Sequence, residues 1–459
     1  MRETYKSILF SRRKVLAYGA ALGIGGIAFA VRQKVRNRIA WMTQLPSFTA
    51  APPLVSHGDR DRTKLHVAQG GRPEENVDSV LAKLGGIARV VGPDDVVIIK
   101  VSAQWWNQGM TNVAAVKRVI EHVLERPGFA GEVIVFENTH FRMPDGSGLS
   151  RAWVRPSERN VDVAGWNKLG DLIGHFRERN APVSFVGLID AGFHASAKDA
   201  WRDPGHESGV YGGDGRGPIE KGDIRDGYHW DFDRAFRLEK SWVDEARTPL
   251  TWPRFTSPHS GIVVDFKDGA LRREGGRLVP ADKKVVWINM TTCNEHSATG
   301  LTGACKSTMG LVDMSAGYLG THPLARGWTS VHYFGQGRPE ATWRMAGPLA
   351  HFAREVRSPD LILLVADWVA YEPKGHDLRR EDIRTSASTC MRAKTIVAGT
   401  DPVAIDSWAV RNIMAATPST NKKAYFDLDD PESMTTKFLR YYRQVSGAGA
   451  IDPAFVDVA

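Results

Sequence analysis

Reactive side chains are densest between Asn289 and Gly310, in NMTTCNEHSATGLTGACKSTMG, which holds Cys293, Glu295, His296, Cys305 and Lys306. Two soft thiolates and an imidazole form a donor set suited to zinc, iron or copper, and three protein ligands leave a fourth position open for chemistry. Cys293, His296 and Cys305 are the candidate metal set. Spacing alone fixes no tetrahedron, so two other arrangements stand beside it: a Cys293–Cys305 disulfide, or side chains that ligate nothing. A nucleophilic cysteine beside His296 is a further option, because a neighbouring imidazolium lowers a thiol pKa. Lys306 stands among Thr302, Gly303, Ser307 and Thr308, whose hydroxyls and amides can face an anion. The plainer alternative is a solvated lysine opening a helix. In the catalytic reading, His296 transfers a proton or ligates, and Lys306 binds an anion or carboxylate.

Other polar groups gather at what read as strand ends. Trp105 and Trp106 lie within Gln104-Trp105-Trp106-Asn107-Gln108, a pairing of rings and amides suited to a planar or sugar-like ligand. Glu137-Asn138-Thr139-His140 closes a second strand, which makes Asn138 and His140 candidates for the same crevice. Asp401 precedes Pro402, where it either caps a helix or faces a ligand. Asp406 falls one turn on, facing either core or site. Asp231 and Asp233 beside His229 are a weaker candidate for a cation.

Regular elements must hold these groups. Val96–Val101 is a β-branched run of the kind buried on both faces of a sheet. Val113, Val116, Val119, Ile120 and Val123 follow at helical spacing within 111–125, and 132–136 is again a strand. Strand, helix and strand make a βαβ unit and imply parallel pairing. A helix over 165–180 and the strand 183–189 repeat the pattern. Further strands are expected at 285–290, 361–366 and 395–398, and further helices at 343–356 and 402–415. The fold class is α/β, a mostly parallel sheet with helices on both faces in a three-layer sandwich. An irregular Gly/Asp-rich insertion interrupts it around 193–280, within which 261–278 reads as a hairpin turning at Asp268-Gly269. Ligands in such sheets bind at the carboxyl ends of the strands.

The 459 residues are 42% hydrophobic and 24% charged, as in soluble globular proteins. The net charge of +8 is concentrated in residues 1–40, which hold nine Lys/Arg and one acid and leave 51 of each sign elsewhere. A neutral body offers no phosphate-tracking surface, so no nucleic-acid partner is expected. Residues 1–40 carry Arg12-Arg13 before an apolar, Gly-rich stretch from Val15 to Val31, resembling a twin-arginine export signal. The expected partner is the twin-arginine translocation machinery, and the expected place is the periplasm. If the leader is not cut after Ala28-Phe29-Ala30, the body is anchored to the outer face of the cytoplasmic membrane. Residues 41–71 read as a linker or strap, and 72–459 as one large domain. Three cysteines cannot by themselves bind an iron–sulfur cluster that needs four.

VVIIKVSA, ENTH, HSATGLTGACKSTMG and above all IVAGTDPVAIDSWA together resemble the domain of unknown function 362 family, over roughly Asp94 to Met414. That family typically ends its first strand in Lys-Pro-Asn, where this chain has Lys100-Val101-Ser102. It typically shows Lys-Thr-His and then Thr-Gly-Ala-Leu-Lys-Asn, where this chain reads Asn294-Glu295-His296 and Thr302-Gly303-Ala304-Cys305-Lys306-Ser307. His296 and Lys306 keep the pattern. Some relatives add a ferredoxin-like segment with iron–sulfur cysteines, which is not found here. The resemblance implies the fold and the site but no reaction.

The leading expectation is an exported ligand- or metal-binding enzyme, or a redox-associated protein, whose site joins Trp105, Asn138, His140, Cys293, His296, Cys305 and Lys306. The alternative is a non-enzymatic, membrane-anchored subunit of a larger complex.

Overall fold

The structure is a computed structural model describing residues 62–139, 150–189, 227–237, 247–313, 331, 343–371, 389–447 and 449–459. The leader, His140 and the Gly/Asp-rich stretch 193–226 lie outside the described residues. The chain runs through β1 (Thr63–Gln69), α1 (Pro73–Lys83), β2 (Val96–Val101), α2 (Val113–Leu124), β3 (Glu132–Thr139), α3 (Arg151–Val154), α4 (Gly170–Arg177) and β4 (Val183–Ile189). Next come β5 (Gly227–Arg237), β6 (Arg247–Thr256), β7 (Val263–Asp265), β8 (Gly269–Glu274) and β9 (Arg277–Pro280). After these are β10 (Val285–Thr292), β11 (Asn294–His296), β12 (Gly300–Thr302), α5 (Ala304–Ser307) and α6 (Ala346–Glu355). The described chain closes with β13 (Leu361–Ala370), β14 (Cys390–Gly399), α7 (Pro402–Asn412), α8 (Lys422–Tyr425), α9 (Met434–Ser446) and β15 (Val456–Val458).

The central sheet has the order β15-β1-β14-β13-β10-β2-β3-β4. Neighbours from β13 through β10, β2 and β3 to β4 pair in parallel, while β14 runs antiparallel to both β13 and β1. The sheet is mixed α/β and mostly parallel, as the βαβ pattern requires. β1 falls inside the stretch read as linker or strap. Its Leu65 and Val67 bury into the core, which is why this short segment pairs with β14.

Alternation along each strand feeds two separate cores. Ile98, Ile134, Phe136 and Trp287 face one, shared with residues of α6, α7 and α9 and the smaller sheet. Val97, Ile99, Val133, Val135 and Ile288 face the other, shared with α1, α2 and α4. Because both faces are apolar, a polar side chain on β2, β3 or β10 belongs near a strand end. α2 starts where Asn112 Oδ1 accepts from the Ala115 amide at 3.2 Å, so Asn112 is the cap and Val113 the first helical residue, inside the expected 111–125.

The second sheet, β5-β6-β7-β8-β9, is antiparallel throughout. The expected hairpin at 261–278 is two hairpins. β7 turns into β8 ahead of Gly269, and β8 turns into β9 through Gly275-Gly276, whose φ values of 55° and 78° suit a tight turn. No helix among the described residues is long and apolar enough to cross a membrane.

Candidate functional site

The tips of β10, β2 and β3, adjacent in the sheet, carry a buried polar chain. Register pairs Lys100 with Asn289, and each lies two residues beyond a side chain of the first core, so both face that side. Lys100 Nζ donates to Ser307 Oγ at 2.9 Å, and Ser307 Oγ donates to Asn289 Oδ1 at 2.8 Å. Lys100 Nζ also lies 3.8 Å from Glu137, and both side chains are only 3% exposed. The Glu137 carboxylate is fixed by the Ala103 amide at 2.9 Å and the Asn138 amide at 3.0 Å. The other half of the Asn289 amide, Nδ2, is buried without a hydrogen-bond partner. Burial lowers the Lys100 pKa, and Glu137 opposes that shift.

Two glycines of the TGACKSTMG run permit this approach. A Cβ on Gly310 would stand 2.5 Å from Lys100 Cε and 2.7 Å from Glu137 Oε1. A Cβ on Gly303 would meet Asp406 Oδ1, whose carboxylate accepts from the Ala304 amide at 2.6 Å and the Cys305 amide at 3.0 Å. Asp406 thus faces the start of α5 rather than solvent. Burial pushes its pKa up to about 7, against the pull of those two amides. The Cys305 thiol donates to the same carboxylate, and burial first, then Asp406, raises the thiol well above its ordinary value. Burial likewise raises Cys293. Both thiols are free and are members of the apolar core.

The structure brings together part of the expected set. Asn138 joins the Lys100 cluster through its backbone amide on Glu137, and Gln104 Nε2, from the tryptophan loop, donates to the Asn138 carbonyl. Trp105 and Trp106 are half-buried, with Arg151 4.7 Å above one ring and Arg155 4.6 Å above the other. His296 is buried in the β11–β12 hairpin, where Nδ1 accepts from the Ala298 amide at 3.1 Å. Thr302 pairs with Asn294 in that hairpin, and Lys306 Nζ lies 3.7 Å from Met309 Sδ. Glu295 is buried, accepting from Ser419 Oγ and Asn421 Nδ2 at 2.7 Å each.

Asp401 is used in a cap. Its carboxylate accepts from the amides of Val403, Ala404 and Ala450 and from Thr63 Oγ1. Asp231 closes a local turn, accepting from the amides of Asp233 and Arg234, while the His229 ring packs on Trp252. Among the described residues, no group of three His, Cys, Asp or Glu side chains is placed to hold a metal ion, so Cys293, His296 and Cys305 do not form one. Cys293 and Cys305 are not joined in a disulfide, and both are buried.

Lys100, Glu137, Asn289 and Ser307 form the cluster that spacing alone did not assemble, and Asp406 holds the start of α5 that carries Ser307. The available signal was a charge or amide closing an otherwise apolar run, as Lys100 closes VVIIK and Asn289 interrupts VVWIN.

A family model described as Domain of unknown function (DUF362) matches residues 277–411. The match supports the DUF362 family. The matched stretch contains Asn289, Ser307, Gly303, Gly310 and Asp406, while Lys100 and Glu137 lie outside it. No curated protein matches the chain. A crystal structure of a protein from Thermotoga maritima is similar at 12% identity and a TM-score of 0.29, over 66% of this chain and 53% of that one. The chain spans about half the length of that solved protein.

Proposed function

We propose that the protein is an exported enzyme that binds a small carboxylate or similar anion over the tips of β2, β3 and β10. The observation that carries this reading is the buried Lys100–Ser307–Asn289 chain with Glu137 beside it and a spare amide donor on Asn289. Natural cores satisfy their buried donors, and one left dry costs about 1–3 kcal/mol, so a site that spares one gains by offering it to a ligand oxygen. Lys100 is the acid–base group, because its ammonium lies 3.8 Å from the Glu137 carboxylate and donates to Ser307, while burial lowers its pKa. Glu137 holds the charge balance, and Ser307 links the ammonium to Asn289. Lys306, one residue before Ser307, supplies a second cation, and His296 orders the hairpin beneath it. Helices on both faces, in a three-layer arrangement, keep the tips rigid.

Export rests on Arg12-Arg13 and the apolar stretch after them. Intact-mass measurement of the native protein from the periplasmic and membrane fractions tests that part. For the site, acetate, malonate, succinate and inorganic phosphate are titrated into the purified protein and its Lys100→Met and Ser307→Ala variants. Saturable binding by the parent, lost in a folded Lys100→Met, supports the reading. Equal affinity in parent and Lys100→Met ends it.

A further inference from the structure

A cavity of about 490 Å³ lies on the outer edge of the central sheet, against β4. α3, α4, β4 and the turn at 258–259 line it. Val183 and Phe185 pair with Val133 and Val135, so the cavity sits toward the amino ends of the strands, away from the tips that carry Lys100 and Glu137. It owes nothing to the reading of those tips.

The walls are largely apolar, and the lining carries several donors and no carboxylate. Trp153 and Phe185 lie with ring centroids 3.8 Å apart, and Ile173 adds an aliphatic wall. Two of the lining residues hold buried donors that find no partner, Trp153 Nε1 and Ser184 Oγ. An indole N–H can only donate, and Trp153 is 5% exposed, so its N–H is buried without an acceptor among the described residues. Arg177 and His259, both exposed, bring basic nitrogen to the same cavity. Arg177 has no carboxylate partner among the described residues, and no Asp or Glu is in the lining. Apolar walls with a few donors and one guanidinium match a ligand that is flat or aliphatic at one end and anionic at the other.

We propose that this cavity binds a small organic carboxylate, with its apolar body against Trp153 and Phe185 and its carboxylate toward Arg177 and the indole N–H. Gly174 provides a clean handle. It lines the cavity on a helix, without a positive φ, and a Cβ there meets nothing within 4 Å. A larger residue at 174 therefore fills the space while improving helix propensity.

The test is calorimetric titration of benzoate into the full chain, with inorganic phosphate as the probe lacking an apolar body. Benzoate is expected to bind once per chain and phosphate at least about tenfold more weakly, a difference of 1.4 kcal/mol. Arg177→Glu should weaken benzoate about tenfold or more, and Arg177→Lys should recover much of that loss. Gly174→Leu should abolish binding while leaving the thermal midpoint equal or higher. The proposal is overturned by absence of benzoate binding, by phosphate binding as tightly as benzoate, or by Gly174→Leu binding like the parent. Binding that disappears in Lys100→Met but persists in Gly174→Leu overturns it as well, by locating the benzoate at the strand tips.

Discussion

The Lys100 ammonium stands 3.8 Å from the Glu137 carboxylate at the tips of two adjacent parallel strands, with both side chains buried. Removing one partner of such a pair strands a charge, whereas removing both does not. Glu137→Gln should therefore lower stability by about 3–5 kcal/mol, and Lys100→Met combined with Glu137→Gln should recover a large part of the loss. Urea unfolding of the two single variants and the double variant checks this. Additive losses would show that the ion pair carries no coupling.

Two buried carboxyls make stability depend on pH. Burial pushes Asp406 up to about 7, and burial reinforced by Asp162 pushes Asp367 up to about 6, both from an ordinary 3.8. Between those limits the folded protein holds protons that the unfolded chain releases, so their contribution is full near pH 4 and is lost as pH rises. Asp367 loses its share through about pH 6 and Asp406 through about pH 7. Unfolding free energies measured from pH 4 to 7.5 should fall less steeply for Asp406→Asn all the way to about pH 7, and for Asp367→Asn only below about pH 6. Unchanged slopes in both variants would refute the assignment.

How far the site was legible follows the distance over which each contact acts. Val96–Val101 is bounded as expected because a β-branched run ending at Ser102 is a local signal. β14 extends from Cys390 rather than Thr395 because its first half is only partly buried and lacks an apolar run. β5 shows no period of two in the sequence because its register shifts between Asp231 and Phe236. Lys100 carries no local sign of its role because its hydroxyl partner, Ser307, lies 207 residues away. No spacing within either segment records that meeting. Asp406, left open between core and site, resolves only when α5 packs on α7.

Gly310 should tolerate no side chain without moving the ammonium, since an added Cβ would overlap both Lys100 and Glu137. The Lys100 end is a flexible chain and yields, so overpacking in Gly310→Ala should cost about 1–3 kcal/mol rather than abolish folding. The displaced ammonium should then lose Ser307, and anion binding at the tips should fall at least about tenfold. Gly303→Ala meets a carboxylate held by two amides, which has less freedom to move, and should be the more destabilising of the two. Thermal melts and the anion titrations on both variants decide the order.

The thiols offer a direct chemical reading of the same region. Burial raises Cys293 and Cys305, Asp406 adds to both shifts, and the thiolate is the species that reacts with alkylating agents. Neither thiol should be modified by iodoacetamide near pH 7.5 while the protein is folded. Cys390 is half-buried and its thiol is also raised by burial, but Arg159 opposes the shift, so it should react slowly and give one adduct. In urea all three should react. Because Asp406 and the apolar core both keep the proton on Cys305, Asp406→Asn should leave the folded pattern at one adduct: removing the carboxylate does not remove the burial. Modification of Cys293 in the folded parent at the rate of Cys390 would instead reveal an accessible thiolate, and would return the cysteine beside His296 to contention as a nucleophile.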